Sequence, residues 1–529
     1  MMRSFLTTAA IFFGICFIYI LIMLSSTENY FTYILDDAYI HLAVAKHFAI
    51  NGVWGITKYA LSSTSSSPVF TLIISALISV FGDHALILLI FNLAISGLLI
   101  FFLSKYYSLF LPDNRSIIMA SLFSLFTAVL HVQVMSGMEH VLQVFVIAVN
   151  IYYFQKWYQN NFKIGFDAYG FYFTILLLGL VRFESMFYFL SFAFVFLLIK
   201  KIKEAALVLV LGFVPILIFG YFNYSNSGYF LPNSVILKGP LLDFSGNIFK
   251  QLIELFFDRV IANRKFYKIG LFPLLACLFF IFKDYKKKEN FQKIILNNFL
   301  PVVWIFAFFM HCMFSRLLEI YRYEAYLLMA FAMIFIPRVK VFFTNPVSSF
   351  RSEKIAGSLL IINLLLLINK SVYGHIMITG GTTNIYEQQI QSARFLKKYY
   401  NDSKVVANDI GAICYFTDIH LLDFMGLGSN NVVPYRIKTK KPGDVFYDFL
   451  ARYSGDNKYE LAIAYDEWLD CRAPKSWKKV AYLELNEENV VLAQTNLFIY
   501  SIDPGSRESL IQNIKKFNWN KNVKVKILE

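Results

Sequence analysis

Residues 5–41, FLTTAAIFFGICFIYILIMLSSTENYFTYILDDAYIH, contain the two features on which the fold of this chain depends. The stretch opens with an apolar run, 5–25, and an apolar helix of about 20 residues is long enough to cross the hydrocarbon core of a bilayer. The run is too long for the apolar segment of a secretory signal, and no A-x-A-like cleavage site follows it. We therefore predict that 5–25 is the first transmembrane helix and that two adjacent carboxylates, Asp36 and Asp37, stand just beyond its end.

The composition of the whole chain favours a bilayer as its solvent. Of the 529 residues, 57% are hydrophobic, 18% are aromatic and only 16% are charged, and the mean hydropathy is +0.55. Soluble domains are about 45–50% apolar and about 25% charged, so this composition excludes an ordinary soluble fold. The formal net charge is +14, but the basic residues fall in short clusters between apolar runs. That pattern is typical of cytoplasmic loops rather than of a nucleic-acid-binding surface.

Apolar runs recur along the chain and predict about eleven transmembrane helices. The predicted spans lie near 5–25, 84–104, 116–134, 140–156, 169–182, 184–200, 204–222, 267–283, 296–314, 320–337 and 355–370. A further apolar segment, 68–82, is shorter and lacks a basic flank, so we interpret it as a helix that lies in the interface or dips into it. With 68–82 left out, the basic loops all fall on one face, which is then the cytoplasmic face.

The opposite, outer face collects the other polar segments of the chain. They are Asp36 and Asp37, residues 137–140, 182–184, 223–266 and 316–324, and the tail from about 374. Polar backbone and charge at membrane depth usually mark a cavity and a function. We therefore expect a functional site on the outer face, with 26–83 as a catalytic outer loop and 223–266 as a second outer loop.

The tail changes character, and we predict a soluble α/β domain over 373–529 after a membrane domain over 1–372. Residues 374–383 are rich in Gly and Thr and are predicted to be a linker, and 384–400 has helical spacing. Short strands are predicted at 405–406, 421–422, 460–464, 480–483 and 497–502. The fold class is thus mostly α, a polytopic helical membrane domain with a C-terminal α/β domain. Whether Cys414 and Cys471 pair in an oxidising compartment is left open.

The layout limits the chemistry that the chain can perform. No Walker A loop or GxGxxG motif is present, and the predicted cytoplasmic loops are too short to hold a nucleotide-binding domain. Any activated donor must therefore reach the outer face, where a lipid-linked donor within the bilayer satisfies the constraint. No Cys/His pattern typical of a metal site is present, and a divalent metal is left open.

The Asp36 and Asp37 pair opens a helix predicted over 38–50. Adjacent helical residues differ by about 100° in direction, so the two carboxylates cannot face one point. We expect one to cap the helix and the other to point free, with a pKa raised by burial and by its like-charged neighbour, as suits a general base. His41 lies four residues after Asp37, on the same helical face. The alternative is that both carboxylates are solvated cap residues.

Other outer polar residues have two interpretations each. Glu139 opens a predicted span, where the helix macrodipole alone favours a carboxylate. Arg182 and Glu184 interrupt a helical hairpin and either pair with each other or leave Arg182 to meet a phosphate. A lipid phosphate needs cations near the headgroup level, but cations there also snorkel to the interface for their own solvation. The candidates of this kind are Lys238, Arg316 and Arg322, with Tyr323 beside the last.

These segments, taken in order, resemble a known enzyme family. They are LDDAYI at 35–40, STSSSP at 63–68, SGME at 136–139, VRFE at 181–184, LPNS at 231–234 with Lys238, and NDIGA at 408–412 with Asp423 and Gly426-Leu427. The set is similar to the polyprenyl-phosphate-dependent GT-C glycosyltransferases, nearest to the terminal arabinofuranosyltransferase-like group. Each motif is short, but the ordered set spans roughly residues 30–430.

The resemblance implies that a sugar moves from a polyprenyl phosphate to a cell-envelope glycan or lipid acceptor outside the cytoplasmic membrane. It implies a catalytic acid in the first outer loop, so Asp36 and Asp37 inherit that role, with Asp37 preferred. Donor or acceptor contacts are implied for Glu139, Arg182, Glu184, Asn233 and Lys238, to which the residue analysis adds His41, Arg322 and Tyr323. Phe183 stands where the family often has Pro, and 62–67 replaces its usual Gly-x-Thr-Ser, so the sugar stays open. The composition is not actinobacterial, which favours undecaprenyl phosphate as the carrier, and the expected location is the bacterial inner membrane.

Other classes of protein remain as alternatives. A lipid-linked glycan transporter or flippase would have ionisable residues and broken helices near the midplane, often in repeated halves. Here the acids and bases lie at the ends of predicted spans on one face, and no halves match. A membrane-embedded polymer or oligosaccharide transferase would share the layout and differ in its acceptor. A receptor would use Asn408, Asp409 and Asp423 as ligand contacts, although turn residues of this kind are common.

Overall fold

A computed structural model describes residues 1–239, 242–317, 321–437 and 443–528, and the described residues before 386 are mostly helical. Two segments of the predicted outer loops, 240–241 and 318–320, lie outside the described residues. The helices are α1 (Met2–Ser26), α2 (Asp37–Asn51), α3 (Pro68–Phe81), α4 (Ile87–Tyr107), α5 (Asn114–Thr127), α6 (Leu130–Ser136), α7 (His140–Gln159), α8 (Phe166–Val181), α9 (Ser185–Leu198), α10 (Ile202–Ser227), α11 (Asn233–Lys238), α12 (Ile248–Phe256), α13 (Arg264–Ile269), α14 (Leu271–Tyr285), α15 (Phe291–Asn297), α16 (Phe299–Phe314), α17 (Ala325–Arg338), α18 (Val341–Thr344), α19 (Pro346–Ser352) and α20 (Lys354–Ile385).

The C-terminal part of the chain forms a six-stranded sheet with helices around it. Its helices are α21 (Gln391–Tyr399), α22 (Gly411–Phe416), α23 (Val433–Arg436), α24 (Asp444–Asp456) and α25 (Arg507–Lys516). Its strands are β1 (Lys404–Ala407), β2 (His420–Asp423), β3 (Leu461–Ala464), β4 (Lys478–Glu484), β5 (Asn496–Ser501) and β6 (Lys524–Ile527), in the order β2-β1-β3-β5-β4-β6. The strands β2, β1 and β3 are parallel to one another, whereas the pairs β3–β5, β5–β4 and β4–β6 are antiparallel. All five predicted strands are present, and β6 was not predicted.

The number of membrane spans is lower than predicted. Within the described residues, four helices are long and apolar enough to cross a membrane, and the number rises to six if each of two bent helix pairs is one span. The four lie at Met2–Ser26, Ile87–Tyr107, Ile202–Ser227 and Lys354–Tyr399, and the bent pairs are α5 with α6 and α15 with α16. Several predicted spans are apolar helices of 10–17 residues, such as Phe166–Val181 and Ser185–Leu198. Because a span needs about 20 residues, the predicted eleven is wrong by this measure.

The predicted linker at 374–383 is also wrong, because these residues continue α20 without a break. The glycines in this stretch allow close packing rather than flexibility. A Cβ on Gly374 would lie 2.7 Å from Cγ2 of Val132, and one on Gly380 would lie 2.5 Å from Cγ2 of Val490. The long helix therefore connects the bundle to the sheet as a continuous element.

One hydrophobic core continues from the bundle into the sheet, and includes Phe12, Tyr39, Tyr386 and Leu461. A second, smaller core on the other face of the sheet packs Val406 and Ala462 against α24. The helix α2 lies between the two parts of the molecule, because it packs on α3 and on α22 of the tail. This arrangement brings the loop that follows α1 against the tail. Cys414 is buried and Cys471 is exposed, and both are free.

Candidate active site

A cavity of about 440 Å³ lies where the predicted outer segments meet. Its wall is built from α2, the Ser-rich segment before α3, the turn between α6 and α7, the turn between α8 and α9, α11, and the end of α16 with the residues after it. Leu427, from the tail, completes the wall. Seven of the predicted site residues line it: Asp37, His41, Glu139, Arg182, Glu184, Lys238 and Tyr323.

The turn that presents Glu139 requires a glycine. Gly137 has φ +69°, in the left-handed region that residues with a Cβ avoid. A Cβ there would lie 2.6 Å from Cδ1 of Tyr33 and 3.0 Å from Cβ of Ala38. The close approach of this turn to the start of α2 places Glu139 beside His41, whose Nε2 lies 3.0 Å from a carboxylate oxygen of Glu139.

Arg182 is the centre of a buried polar network. Its guanidinium donates to both oxygens of Glu184, at 3.1 and 2.7 Å, and also to Glu139. One of its nitrogens lies 3.0 Å from Nε2 of His140. Only 2% of Arg182 is exposed. The guanidinium is therefore largely occupied by the protein's own carboxylates, which agrees with the first of the two interpretations given for this residue.

Tyr323 closes one side of this network. Its ring stacks on His140, with the ring centroids 5.8 Å apart. The guanidinium carbons of Arg182 and Arg322 lie 4.9 and 5.0 Å from the centroid of the same ring. Cations over an aromatic face are stabilised by its quadrupole, and more so when they are desolvated. Tyr323 therefore holds two arginines at fixed positions beside the cavity.

Asp37 faces the cavity and pairs with Arg322, with 2.6 Å between Oδ2 and Nη1. Burial alone would raise the pKa of Asp37, but the positive charges of Arg322 and Lys238 outweigh burial and hold that pKa below its ordinary value. The raised pKa predicted for the free carboxylate is thus wrong for Asp37. The cause is Arg322, which lies 285 positions away in the chain and was not foreseen as its partner.

Asp36 does not line the cavity and does not cap its own helix. Its carboxylate accepts hydrogen bonds from the backbone N–H groups of Gly411 and Ala412, at 2.7 and 2.8 Å, and so caps α22 of the tail. Burial raises the pKa of Asp36 to about 6, although these two hydrogen bonds oppose the shift. Burial and the charge of Asp36 also raise the pKa of the neighbouring Asp409. The contact joins the loop after α1 directly to the tail.

Asn233 also has a different position from the one expected. It lies outside the cavity wall, and its amide donates to the carbonyls of Gly426 and Leu427, each at 3.2 Å, and to Oδ1 of Asn430 at 2.8 Å. Its backbone N–H donates to Ser63 at 2.8 Å. These bonds fix α11 between the Ser-rich segment and the tail, so Asn233 positions Lys238 at the far end of that short helix.

The tail residues considered as ligand contacts have structural roles. The carboxylate of Asp423 accepts from the backbone N–H groups of Met425 and Gly428, at 2.8 and 2.7 Å. Oδ1 of Asn408 accepts from the backbone N–H of Tyr465 at 3.0 Å. Such side-chain-to-backbone bonds are those of turn residues. The Asp423 turn shapes the loop that carries Leu427 to the cavity.

Lys238 and Arg316 differ from the other cations of the site. Both line the cavity, and in the described part of the chain neither side chain forms a hydrogen bond or a close ion pair, although the charge of Lys238 lowers the pKa of Asp37. The sequence indicated Arg316 as one of the outer cations that could meet a lipid phosphate, in the same segment as Arg322. Ser66 and Leu427, which also line the cavity, belong to the motifs at 63–68 and 426–427 but were not chosen as site residues. Over the described ranges, no group of three or more His, Cys, Asp or Glu side chains is arranged to hold a metal ion.

The fold is similar to that of proteins of known structure. ArnT from Cupriavidus metallidurans, in its crystal structure bound to undecaprenyl phosphate, matches with a TM-score of 0.52 and 12% identity, over 94% of this chain and 98% of that one. The apo state of the same protein matches with a TM-score of 0.51 and 13% identity, over the same shares. An apo oligosaccharyltransferase from Archaeoglobus fulgidus gives a TM-score of 0.47 and 12% identity, over 94% of this chain and 75% of that one.

Sequence comparison adds less. A family model described as a domain of unknown function (DUF8728) matches residues 383–500, within the tail. No curated protein matches the sequence. At 12–13% identity the likeness to ArnT concerns the fold. The chain therefore shares the fold of the ArnT structures, and within the described residues four of its helices are long and apolar enough to cross a membrane.

Proposed function

We propose that this protein transfers a single sugar from a polyprenyl-phosphate donor to a cell-envelope glycan or lipid acceptor, on the outer face of the bacterial cytoplasmic membrane. One observation carries the proposal. The cavity joins an apolar wall to a carboxylate, Asp37, whose pKa lies below its ordinary value, and to two cations, Lys238 and Arg316, whose side chains form no hydrogen bond or close ion pair with the residues that the structure describes. A lipid-linked sugar phosphate needs all three features. Its hydrophobic chain needs an apolar wall, its phosphate needs cations, and the hydroxyl that attacks its anomeric carbon needs a carboxylate.

The donor site is assigned to the side of the cavity where α9 and α16 meet. Phe187, Leu190, Met310 and Phe314 form an apolar wall there, suited to the first isoprene units of the carrier. Arg316 follows directly after this wall. A phosphate at the level of Arg316 could accept hydrogen bonds from its guanidinium, whereas the guanidinium of Arg182 already binds carboxylates.

The acceptor hydroxyl is assigned to the side of Asp37. In the proposed step the hydroxyl oxygen forms a bond to the anomeric carbon of the donor, and the bond from that carbon to the phosphate oxygen breaks. The hydroxyl proton passes to the Asp37 carboxylate, and the polyprenyl phosphate leaves with one more negative charge. Lys238 and Arg316 stabilise the charge that grows on the leaving phosphate.

The low pKa of Asp37 determines when the proton moves. A carboxylate held ionised by Arg322 is a weak base towards a neutral hydroxyl. It orients that hydroxyl by accepting its hydrogen bond, and takes the proton late, once attack on the sugar has made the oxygen acidic. Arg322 is thus a partner that keeps the carboxylate charged and aimed at the cavity.

The fold shared with ArnT supports this assignment, since that protein was crystallised with undecaprenyl phosphate. We infer that this chain also uses an undecaprenyl carrier. The resemblance of its motifs to arabinofuranosyltransferases allows a pentose as well as a hexose. The acceptor and the sugar class are for experiment to name.

A deletion strain provides the first test. Mass spectrometry of its surface glycans and lipid-linked sugars is expected to show an acceptor that lacks one sugar and an accumulated polyprenyl-phosphate sugar. Purified protein in detergent is then expected to release polyprenyl phosphate from the accumulated donor when the deficient acceptor is added. Glycans and lipid-linked sugars identical to those of the parent strain would contradict the proposal.

The same assay separates an enzyme from a transporter. Detergent solution has no sealed compartments, so transfer of the sugar in detergent excludes an obligate flippase. A protein that binds the lipid-linked sugar in detergent without consuming it, but moves it across proteoliposomes, would support the flippase and overturn the transferase.

A further inference from the structure

The segment between α11 and α13 contains a helix that the proposed reaction does not use. It comprises α12, Ile248–Phe256, and the π-helical turn Phe257–Ile261 that continues it. None of the nine residues of α12 is buried, although six of the nine are apolar. A helix of nine residues is about 14 Å long, too short to cross a bilayer.

The exposed apolar residues of this helix form one stripe. Phe249 is 80% exposed, and Ile253 and Phe257, each four residues further on, are both 57% exposed. A charged stripe runs beside it at the same spacing, with Lys250 and Glu254 as an exposed pair 3.9 Å apart. Residues four apart lie on one face of a helix, so the helix is amphipathic and presents its apolar stripe away from the rest of the protein.

The protein side of the helix is fixed to the rim of the cavity. The ring of Phe256 lies 6.2 Å from that of Phe309 on α16. Nη1 of Arg259 donates to the carbonyl of Ser315 at 2.8 Å, and Ser315 lines the cavity. The apolar stripe therefore faces outward from an element whose other side is packed and hydrogen-bonded.

The surroundings indicate what covers the stripe. The helix follows α10, a candidate span whose last turns expose Tyr221 and Tyr224. At its other end, the exposed Tyr267 donates to the carbonyl of Ile261 at 2.8 Å. Tyrosines are enriched where a membrane protein passes from hydrocarbon to headgroups. Exposed tyrosines therefore stand both at the end of α10, before α11 and α12, and directly after the π-helical turn.

We propose that α12 and its π-helical turn form an interfacial membrane anchor, with Phe249, Ile253 and Phe257 immersed among the lipids of the leaflet at which the cavity opens. Short helices with an apolar and a charged face lie in this position, with the apolar side chains in the upper acyl region and the charges among the headgroups. The anchor fixes the height of the cavity rim relative to the lipid phosphates. The inference depends on the membrane location and not on the proposed transfer.

Site-specific labelling tests the anchor in the full-length protein. The variant Cys471→Ser removes the exposed cysteine and leaves the other four, which are buried. On this background Phe249→Cys carries an environment-sensitive fluorophore, and Lys250→Cys, about 100° further round the helix, is the matched control. In nanodiscs of phosphatidylcholine and phosphatidylglycerol, the label at 249 is expected to emit at shorter wavelength and to be quenched by lipids spin-labelled in the upper acyl chain. The label at 250 is expected to be quenched by aqueous iodide instead.

Equal access of iodide to both labels would overturn the proposal. So would shielding of position 249 that persists in lipid-free amphipol and grows with protein concentration, because the stripe would then contact a second copy. If the labelled variants do not fold, hydrogen exchange of the unmodified protein gives the answer. Peptides covering 248–256 are expected to exchange more slowly in nanodiscs than in amphipol, and equal rates would overturn the anchor.

Discussion

Replacing Asp37 with asparagine tests the proposed role of the carboxylate most directly. The amide oxygen of Asp37→Asn still accepts a hydrogen bond from Arg322, so the folded state is expected to lose about 1–3 kcal/mol, the value of one charge-assisted bond. The reaction loses its proton acceptor. General-base catalysis contributes about 10²–10⁴ in rate, so we expect kcat to fall about 1,000-fold, which corresponds to about 4 kcal/mol.

The assay is the initial rate of sugar transfer from labelled lipid-linked donor in detergent, with thermal unfolding of the same preparation as the check on folding. Asp36→Asn is the control, because it removes one of the bonds to α22 rather than a group in the cavity. We expect that variant to melt at lower temperature and to retain a rate well above that of Asp37→Asn. A rate for Asp37→Asn within about tenfold of the wild type would refute the reasoning.

The pH profile separates the two carboxylates independently. The pKa of Asp37 is held below its ordinary value of 3.8 by Arg322 and Lys238 against the effect of burial. The Asp37 carboxylate therefore stays ionised as the pH falls. We expect that its protonation does not lower kcat/KM until the pH is below about 4. Burial raises the pKa of both Asp36 and Asp423 to about 6, so an acid limb near pH 6 would implicate a carboxyl group other than Asp37 and contradict the assignment.

Three further variants address folding and the phosphate site. Arg182→Gln removes the guanidinium from the buried Glu139 and the half-buried Glu184 and is expected to cost about 3–5 kcal/mol; a melting temperature in detergent equal to that of the wild type would contradict the network. Lys238→Ala and Arg316→Ala are each expected to lower kcat/KM about 100-fold with unchanged melting temperature, since neither cation is paired with a described residue; unchanged kinetics would remove both from the phosphate site. Gly411→Ala places a Cβ 2.1 Å from the carbonyl oxygen of Asp36 and is expected to lower both stability and rate, whereas Gly455→Ala meets nothing within 4 Å and is expected to be neutral in both assays.

The helices, the strands and the meeting of the outer segments could be predicted from the sequence. Apolar runs and short β-branched stretches gave the positions of α1, α4, α10 and β1 to β5. The rule that basic loops share one face grouped Asp37, Glu139, Arg182 and Lys238 before any contact was known, and all four line one cavity. The distribution of basic loops along the sequence thus indicated which distant residues lie together in the structure.

The failures have two physical causes. The number of spans was overestimated because hydropathy does not show where a helix ends, and helices such as Ser185–Leu198 are shorter than their apolar runs suggested. The linker was mistaken because Gly374 and Gly380 suggest flexibility, whereas both are sites of close packing against other elements. The sequence alone does not distinguish a glycine that allows close packing from a glycine that makes the backbone flexible.

The roles of Asp36, Asn233 and Arg322 depended on contacts between distant parts of the chain. Asp36 and Gly411 are 375 positions apart, and Asn233 meets a carbonyl 193 positions away. Helical spacing around Asp36 and Asp37 showed that the two carboxylates diverge, but it could not show which one would meet a guanidinium. The assignment of the raised pKa to the free carboxylate failed for that reason.

The bond between Asp36 and the start of α22 has a consequence for biosynthesis. Ribosomes add about 5–20 residues per second, so roughly 20–75 s pass between the appearance of Asp36 and that of Gly411, 375 residues later. During that interval the loop bearing Asp37 lacks the support that holds it in place. The newly inserted chain is therefore inactive until its last domain has been made and folded, and truncated products are expected to occupy the membrane without consuming donor.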